Sequence, residues 1–324
     1  MTDFNQYLDF EQPVVEIEKA ILEARKVVES GDLSKADEVK KLKKKLAQTR
    51  KDVYGNLSAY QRVRLSRHFE RPFTKDYIDI LFDDFSELHG DRLFGDDAAI
   101  VGGIAKFGSK SVMVIGHQRG RTTQERITRN FGMTMPEGNR KGQRLFKLAE
   151  KFKLPLIMFI DTQGAYPGLD AEARGQAEAI ARNLLVLSGL KTPIISVVIG
   201  EGGSGGALAF GVCDKLLMLE NSIYSVISPE GCASILWGKT NEDMAKMSAQ
   251  AAESLKVTAN ELSNTDIVDE LVKEPPGGAH RDHHKAAEFL GESISKHLEE
   301  LTSYSTQELL DKRYERIRKI GNFK

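Results

Sequence analysis

Three glycine-rich clusters, each directly after a run of apolar residues, constrain the fold of this chain more than any other feature. The clusters span residues 116–121, 161–168 and 200–207. Continuous apolar runs predict buried strands, and apolar residues at helical spacing follow the clusters. Alternating strands and helices form an α/β core, in which loops at strand ends bind ligands. The sequence therefore predicts an α/β fold with a binding site near these glycines.

Residues 1–55 differ from the rest of the chain, because glycine is scarce and charge is dense there. Their apolar spacing predicts two helices that break at residues 30–32. Two such short helices need a partner surface, either another subunit or their own domain. We therefore predict a helical hairpin over 1–55 as a subunit contact, and a second domain over 56–324 that ends in C-terminal helices. The lysine-rich stretch at 40–45 has no interleaved aromatic residues, which favours a solvated helix face over a nucleic-acid patch.

Hydrophobic periodicity predicts the elements of the larger part. A helix begins at Thr74 and buries apolar residues as far as Leu88. A capping box of Ser305 and Glu308 begins the last helix, and Gly321 lies just past its end. Strands are predicted at 100–107, 111–116, 154–160, 194–199, 216–219 and 223–227, and further helices at 137–152, 171–187, 229–237, 242–256 and 284–300.

Composition excludes several classes of protein. The 324 residues are 40% hydrophobic and 29% charged, as in a globular protein, and their formal net charge of −1 gives no general attraction for nucleic acid. Two cysteines, Cys213 and Cys232, exclude a disulfide framework and a four-cysteine zinc site. We find neither a signal peptide nor an apolar run of about 18 residues that would span a membrane. A cytoplasmic protein is expected.

The third cluster satisfies the dinucleotide-binding pattern G-x-G-x-x-G at Gly200, Gly202 and Gly205. Glu220 lies near the spacing of the acidic residue that binds the ribose. However, only about ten residues separate this cluster from the next strand, which is short for the crossover helix of such a unit.

The same cluster also satisfies the nucleophile pattern G-x-S-x-G, with Ser204 at its centre. Asp266 or Asp269, followed by His280, would complete the order of a serine hydrolase. The chain lacks a plausible upstream segment of the HGG type for the oxyanion, so this motif is incomplete.

A third interpretation uses the backbone rather than a side chain. Five of the seven residues at 200–206 are glycine, which leaves N–H groups unobstructed at a helix N-terminus. Such groups can bind an anion or a developing oxyanion. Close packing of a helix on a strand explains one or two glycines but not five. The cluster therefore favours an oxyanion hole made of backbone donors.

Seven stretches, in matching order, resemble the carboxyltransferase α subunits of bacterial acetyl-coenzyme A carboxylase. The resemblance runs from near residue 8 to the C-terminus, with Gln163 as a departure where many relatives carry proline. The stretches are 9–13 (DFEQP), 89–92 (HGDR), 129–133 (RNFGM), 161–168, 200–207, 224–231 (YSVISPEG) and 277–280 (GGAH).

This resemblance implies a crotonase-type (ClpP/crotonase-like) carboxyltransferase fold with an N-terminal helical hairpin. It implies an enzyme that moves a carboxyl group from carboxybiotin to acetyl-coenzyme A, which gives malonyl-coenzyme A for fatty acid synthesis. By position, the N–H groups of Gly205 and Gly206 hold the oxyanion on the biotin side, and Ala207 is a neighbour that can share this role. The freed biotin anion can take the methyl proton, so no protein base is required.

The resemblance also implies other pocket residues. The expected substrate-binding residues are Gly164, Ala165, Tyr166, Gly168, Glu201, Gly202, Gly203, Ser204 and Ala207. Tyr166 is equally well interpreted as a packed loop aromatic, and Glu201 as a residue that orients the loop or contacts a subunit. Coenzyme A phosphates or the carrier surface are candidate ligands of Arg119, Arg121 and Arg126, with solvated side chains as the alternative. For His280 we expect a role at the surface or in a subunit contact.

The implied partners are a zinc-ribbon β subunit in an α2β2 heterotetramer, a biotin carboxyl carrier protein and biotin carboxylase. ATP would be used by biotin carboxylase alone, and no metal is expected in this chain. The stretch 244–247 (MAKM) swaps the first two residues of the biotin-attachment tetrapeptide and fits a helix, so we expect no covalent biotin on Lys246. Two alternatives stay open: a free-standing crotonase-type acyl-coenzyme A enzyme, and a non-catalytic scaffold of a biotin-dependent complex.

Overall fold

The computed structural model describes residues 7–30, 32–238 and 244–321. The strands are β1 (Asp83–Glu87), β2 (Ile100–Phe107), β3 (Lys110–His117), β4 (Leu156–Thr162), β5 (Ile194–Gly203), β6 (Lys215–Leu219), β7 (Ile223–Ser225) and β8 (Glu270–Val272). The α-helices are α1 (Gln12–Glu29), α2 (Ala36–Gly55), α3 (Ala59–Ser66), α4 (Thr74–Leu81), α5 (Thr123–Thr128), α6 (Pro136–Phe152), α7 (Leu169–Ala173), α8 (Gln176–Ser188), α9 (Ser204–Leu208), α10 (Pro229–Trp237), α11 (Met244–Leu255), α12 (Ala259–Leu262), α13 (His283–Thr302) and α14 (Thr306–Lys319).

All the strands belong to one mixed sheet in the order β1-β2-β3-β4-β5-β6-β8, and β7 pairs with the far end of β5. The pairs β1–β2 and β2–β3 are antiparallel, whereas the pairs from β3 to β8 are parallel. Every residue of β4 and β5 is buried. That burial explains why the sequences of these strands are continuous runs of apolar residues or glycine.

Helices cover both faces of the sheet. Apolar residues of α4 and α13 pack on one face, and those of α6 and α8 pack on the other. Because β4 and β5 are parallel neighbours, their carboxyl ends meet at one edge, where Thr162 is opposite Gly202. This arrangement brings the second and third glycine clusters together.

The N-terminal hairpin forms as predicted and packs on its own chain at its base. Val14 of α1 and Tyr54 of α2 form a small apolar cluster with Leu65 of α3. Glu18 accepts hydrogen bonds from Arg50 at 2.5 Å and from Arg281 at 2.8 Å. The prediction that this hairpin contacts another subunit stays a prediction.

Three predicted elements differ from the structure. The helix from Thr74 ends at Leu81, because the backbone is extended at Phe82 and the next residues pair with β2 as strand β1. The helix predicted over 171–187 is two helices, separated where Gly175 adopts φ = +83°. Strand β5 does not end near residue 199 but continues to Gly203, because its last residues pair with β7. Residues 242–243 of the predicted helix 242–256 lie outside the described residues.

None of the helices within the described ranges is long and apolar enough to cross a membrane.

Candidate active site

Two glycine loops contact each other, backbone against backbone, at the carboxyl ends of β4 and β5. A Cβ atom at Gly206 would lie 2.5 Å from the carbonyl carbon of Gly164 and 2.7 Å from the nitrogen of Ala165. A Cβ atom at Gly203 would overlap the carbonyl group of Gln163. Both positions therefore require glycine because of the close approach of the second loop.

A sharp turn at Ser204 joins β5 to α9 and leads the backbone into the site. Ser204 has φ = +48°, a left-handed conformation that is uncommon outside glycine, and it is exposed. The first N–H groups of a helix have no acceptor within that helix, and none of the described side chains caps α9. With only five residues, α9 has little dipole, so any anion binding rests on the individual N–H groups of Gly205 and Gly206.

A cavity of about 640 Å³ lies against this turn. Five of the predicted site residues line it: Gly164, Ala165, Glu201, Ser204 and Gly205. Four other predicted site residues are buried and do not line the cavity: Gly202, Gly203, Gly206 and Ala207. Tyr166 and Gly168 are not among its lining residues, because the Tyr166 ring packs on Gly168 and the Tyr166 N–H donates to the Thr134 carbonyl at 3.0 Å.

A network of ion pairs, buried at Glu201 and Asp161 and partly exposed at Arg67 and Glu230, contacts the residues next to the glycine loop. Glu201 accepts hydrogen bonds from Arg67 at 2.8 Å and from Arg119 at 3.3 Å. Arg67 also reaches Glu230 at the start of α10, at 2.9 Å. Asp161 accepts from the Glu201 N–H at 3.0 Å and from Arg119 at 3.2 Å. Burial raises the pKa of the Asp161 carboxyl, against the opposing effect of Arg119.

Arg67 is a residue of this site that sequence reasoning missed. Its partner Glu201 lies 134 residues away along the chain. No local pattern marks such a contact, although Glu230 belongs to the stretch 224–231 that carries part of the family resemblance.

The three predicted anion-binding arginines have different surroundings. Arg119 is held in the buried network, and Arg121 donates to Asp76 at 2.9 Å and lies over the Phe73 ring. Arg126 donates its Nε–H to the Gly120 carbonyl at 3.1 Å and lines a second cavity of about 260 Å³, together with Phe131. Arg119 also lines this second cavity, whereas Arg121 does not.

The serine-hydrolase arrangement is not assembled. His280 lies against Glu11, with 3.2 Å between Nε2 and Oε1. Asp269 accepts from the Leu216 N–H and from Arg316 rather than facing Ser204. The prediction of a surface role for His280 is also wrong, because its side chain is 3% exposed within this chain. Lys246 lies in helix α11, as predicted, and not at a hairpin tip.

The fold is a carboxyltransferase fold, which solved transcarboxylase and carboxylase chains share. The fold is similar to that of a transcarboxylase 12S structure with methylmalonyl-coenzyme A bound (TM-score 0.54, 20% identity, 67% of this chain and 41% of that chain). It is also similar to the β subunit of geranyl-CoA carboxylase from P. aeruginosa (TM-score 0.53, 16% identity, 69% of this chain and 41% of that chain). These comparisons confirm the predicted fold, although this chain spans only about two fifths of either solved chain.

The chain belongs to the acetyl co-enzyme A carboxylase carboxyltransferase-like family, whose model matches residues 7–321. A relative from Geobacter metallireducens is 55% identical over 321 residues, which cover 98% of this chain and 99% of the relative. A relative from Halalkalibacterium halodurans is 55% identical over 316 residues, which cover 98% and 96%. Both are named acetyl-coenzyme A carboxylase carboxyl transferase subunit alpha. The family resemblance predicted from the sequence is confirmed.

Proposed function

We propose that this chain is the α subunit of the carboxyltransferase component of acetyl-coenzyme A carboxylase. It takes the carboxyl group of carboxybiotin, presented by a carrier protein, and transfers it to acetyl-coenzyme A to give malonyl-coenzyme A for fatty acid synthesis. The observation that carries this proposal is the contact of Gly206 with the Gly164–Ala165 peptide beside an open cavity. It supports a site in which the N–H groups of Gly205 and Gly206 bind a substrate oxygen at the cavity.

The reaction creates negative charge on oxygen at two points: on the ureido group of biotin as the carboxyl group leaves, and on the thioester of acetyl-coenzyme A. The N–H groups of Gly205 and Gly206 stabilise the first of these oxyanions. A single donor of this kind is worth about 10²–10³ in rate. The freed biotin anion takes the methyl proton of acetyl-coenzyme A, so the chain needs no side-chain base.

The ion pairs of Glu201 keep the donors in place. Arg67 and Arg119 approach Glu201 from two different elements, and Asp161 holds its backbone N–H. These contacts fix the last residues of β5 immediately before the turn at Ser204. Donors that are already positioned need no reorganisation when charge develops on the substrate. In this account Glu201 is a positioning residue and not a catalytic one.

Partner proteins complete the enzyme in this proposal. A zinc-ribbon β subunit binds most of the coenzyme A and joins this chain in an α2β2 heterotetramer in the cytoplasm. The carrier protein brings carboxybiotin, and biotin carboxylase is the component that uses ATP. Exposed apolar side chains near the cavity support the idea of a partner surface: Val226 (80% exposed), Ile235 (75%) and Leu236 (63%). The hairpin at 1–55 is a second candidate contact, attached to the catalytic domain at 56–324.

Replacing Gly206 with valine tests this proposal. The new side chain would collide with the Gly164–Ala165 peptide, so carboxyl transfer in the mixture with the β partner should fall by at least about 100-fold. Gly189→Val is the matched control, because a Cβ atom there meets nothing within 4 Å. Copurification with the partner shows whether assembly survives.

Gly205→Val is a second variant that keeps the test valid if Gly206→Val fails to fold. A Cβ atom at Gly205 has its nearest contact at 3.4 Å, with the end of the Ile180 side chain, so this variant should fold and should still lose transfer. Full transfer by both variants in an intact complex would refute the oxyanion hole and favour the scaffold alternative.

A further inference from the structure

Two stretches that carry the family resemblance, 9–13 and 277–280, meet beside His68, which is next in sequence to Arg67 of the candidate site. Glu11 precedes α1, and His280 follows β8, yet 3.2 Å separates Oε1 of Glu11 from Nε2 of His280. His68, just after α3, lies with its ring centroid 4.4 Å from that of His280. One ligand atom from each of these three residues lies within 4.8 Å of the other two.

The cluster is buried. The side chains of Glu11 and His280 are 0% and 3% exposed, and His68 is 7% exposed. His280 Nδ1 is buried without a hydrogen-bond partner among the described residues. Buried polar atoms are satisfied in the great majority of native structures, so the contact with Glu11 leaves this buried ring incompletely satisfied.

We propose that Glu11, His68 and His280 bind a divalent transition-metal ion of the zinc type. Two imidazoles and one carboxylate are a ligand set that zinc prefers. Ligand atoms about 2.0–2.2 Å from a tetrahedral ion lie roughly 3.3 Å apart, and Glu11 and His280 already have that spacing. All three ligand atoms lie within 4.8 Å of one another, so the third ligand reaches the ion with a shift of the His68 ring, which also accepts a hydrogen bond from the Glu70 N–H at 3.2 Å.

The surroundings of Glu11 fit a metal ligand. The Tyr54 hydroxyl donates to Oε1, and the Leu8 N–H donates to Oε2 at 2.6 Å. Metal-bound carboxylates are usually held by such outer hydrogen bonds, which fix their orientation. Glu11 and Tyr54 belong to the hairpin segment, whereas His68 and His280 belong to the main domain. The ion is therefore structural and fastens the hairpin to the domain.

Zinc content tests this site directly. The full-length chain, purified without any zinc-containing partner, is exposed to zinc chloride, passed over a desalting column and measured by mass spectrometry of metals. We expect one zinc per chain, lost in His280→Gln and His68→Gln. His284→Gln is the matched control, because His284 is exposed and lies four residues from His280. Equal zinc in the wild type and His280→Gln would overturn the proposal.

Thermal melting and cobalt binding of the wild type test the metal site even if a variant fails to fold. A zinc concentration near 100 times the dissociation constant should raise the melting temperature of the chelator-treated wild type by about 5 °C, with little change for His68→Gln. Cobalt should give the visible absorption bands of a tetrahedral site in the wild type. A melting temperature that zinc does not raise, or a cobalt complex without those bands, would contradict the site.

Discussion

Asp97 is a buried carboxyl group near the start of α6. It accepts hydrogen bonds from the N–H groups of Ala99 at 2.9 Å and Met135 at 2.8 Å. Burial raises the pKa of Asp97 to about 6 despite these bonds. The folded chain therefore binds this proton more tightly than the unfolded chain does. The contribution to stability is complete below about pH 4 and is lost as the pH rises through about 6.

We predict that Asp97→Asn removes this pH dependence. Relative to the wild type, the variant should gain on the order of 3 kcal/mol of unfolding free energy between pH 4 and pH 7. Any constant offset from the altered hydrogen bonds cancels in that comparison. Urea denaturation at pH 4 and pH 7 measures this gain in unfolding free energy. If the unfolding free energies of the variant and the wild type change equally between the two pH values, Asp97 does not titrate in this range.

Glu201 allows a second prediction at the scale of single residues. Glu201→Gln leaves Arg67 and Arg119 without their shared carboxylate, in a place where Glu201 is 5% exposed. Arg67 keeps its contact with Glu230 and Arg119 keeps its contact with Asp161, so the loss is that of charged hydrogen bonds and the unfolding free energy should fall by on the order of 2 kcal/mol. Carboxyl transfer should fall as well, because the glycine loop loses its support.

Glu172→Gln is the matched control, since Glu172 is exposed on α7. It should stay within about 0.5 kcal/mol of the wild type. If Glu201→Gln changes unfolding free energy and transfer as little as this control does, the network does not position the loop.

Helix α14 is anchored by a buried arginine, Arg313, in addition to the apolar Leu309. Arg313 is 1% exposed and donates to both carboxylate oxygens of Asp214, at 2.8 and 2.9 Å. It also donates to the carbonyl groups at the end of α8 and in the loop that follows. Arg313 therefore connects α14 to Asp214, the residue immediately before β6.

We predict that Arg313→Ala lowers the unfolding free energy by about 3–5 kcal/mol, because it leaves the buried Asp214 charge unpaired. Arg318→Ala, an exposed change on the same helix, should cost less than about 0.5 kcal/mol. Urea denaturation of both variants checks this. Similar values for the two would mean that the side chain of Arg313 does not anchor α14.

Local periodicity predicted most elements well. Strands β2 to β6 follow from continuous apolar runs, and α6, α10, α13 and α14 follow from helical spacing and caps. Strand β1 was missed because Phe82, Phe85 and Leu88 also match helical spacing, and pairing with β2 decides the outcome. The break at Gly175 was missed because a glycine inside a helical pattern marks an end only when the backbone takes a positive φ.

The whole molecule brings together residues that no window of sequence connects. The glycine clusters were recognisable, because five glycines in seven residues serve poorly as packing alone. Arg67 and its contact with Glu201 depend on the fold, as does the contact of Glu11 with His280, 269 residues apart along the chain. The family resemblance implied no metal in this chain, and the convergence of Glu11, His68 and His280 in the fold is the ground for proposing one.

We propose that the backbone N–H groups of Gly205 and Gly206 and the cavity beside them form half of an active site. The most direct test is carboxyl transfer from malonyl-coenzyme A to free biocytin. It is assayed with this chain alone and with a purified zinc-ribbon β partner. Our account predicts transfer only in the mixture. Transfer by the chain alone would contradict it and favour the free-standing enzyme, and a silent mixture in which the complex still forms would favour the scaffold.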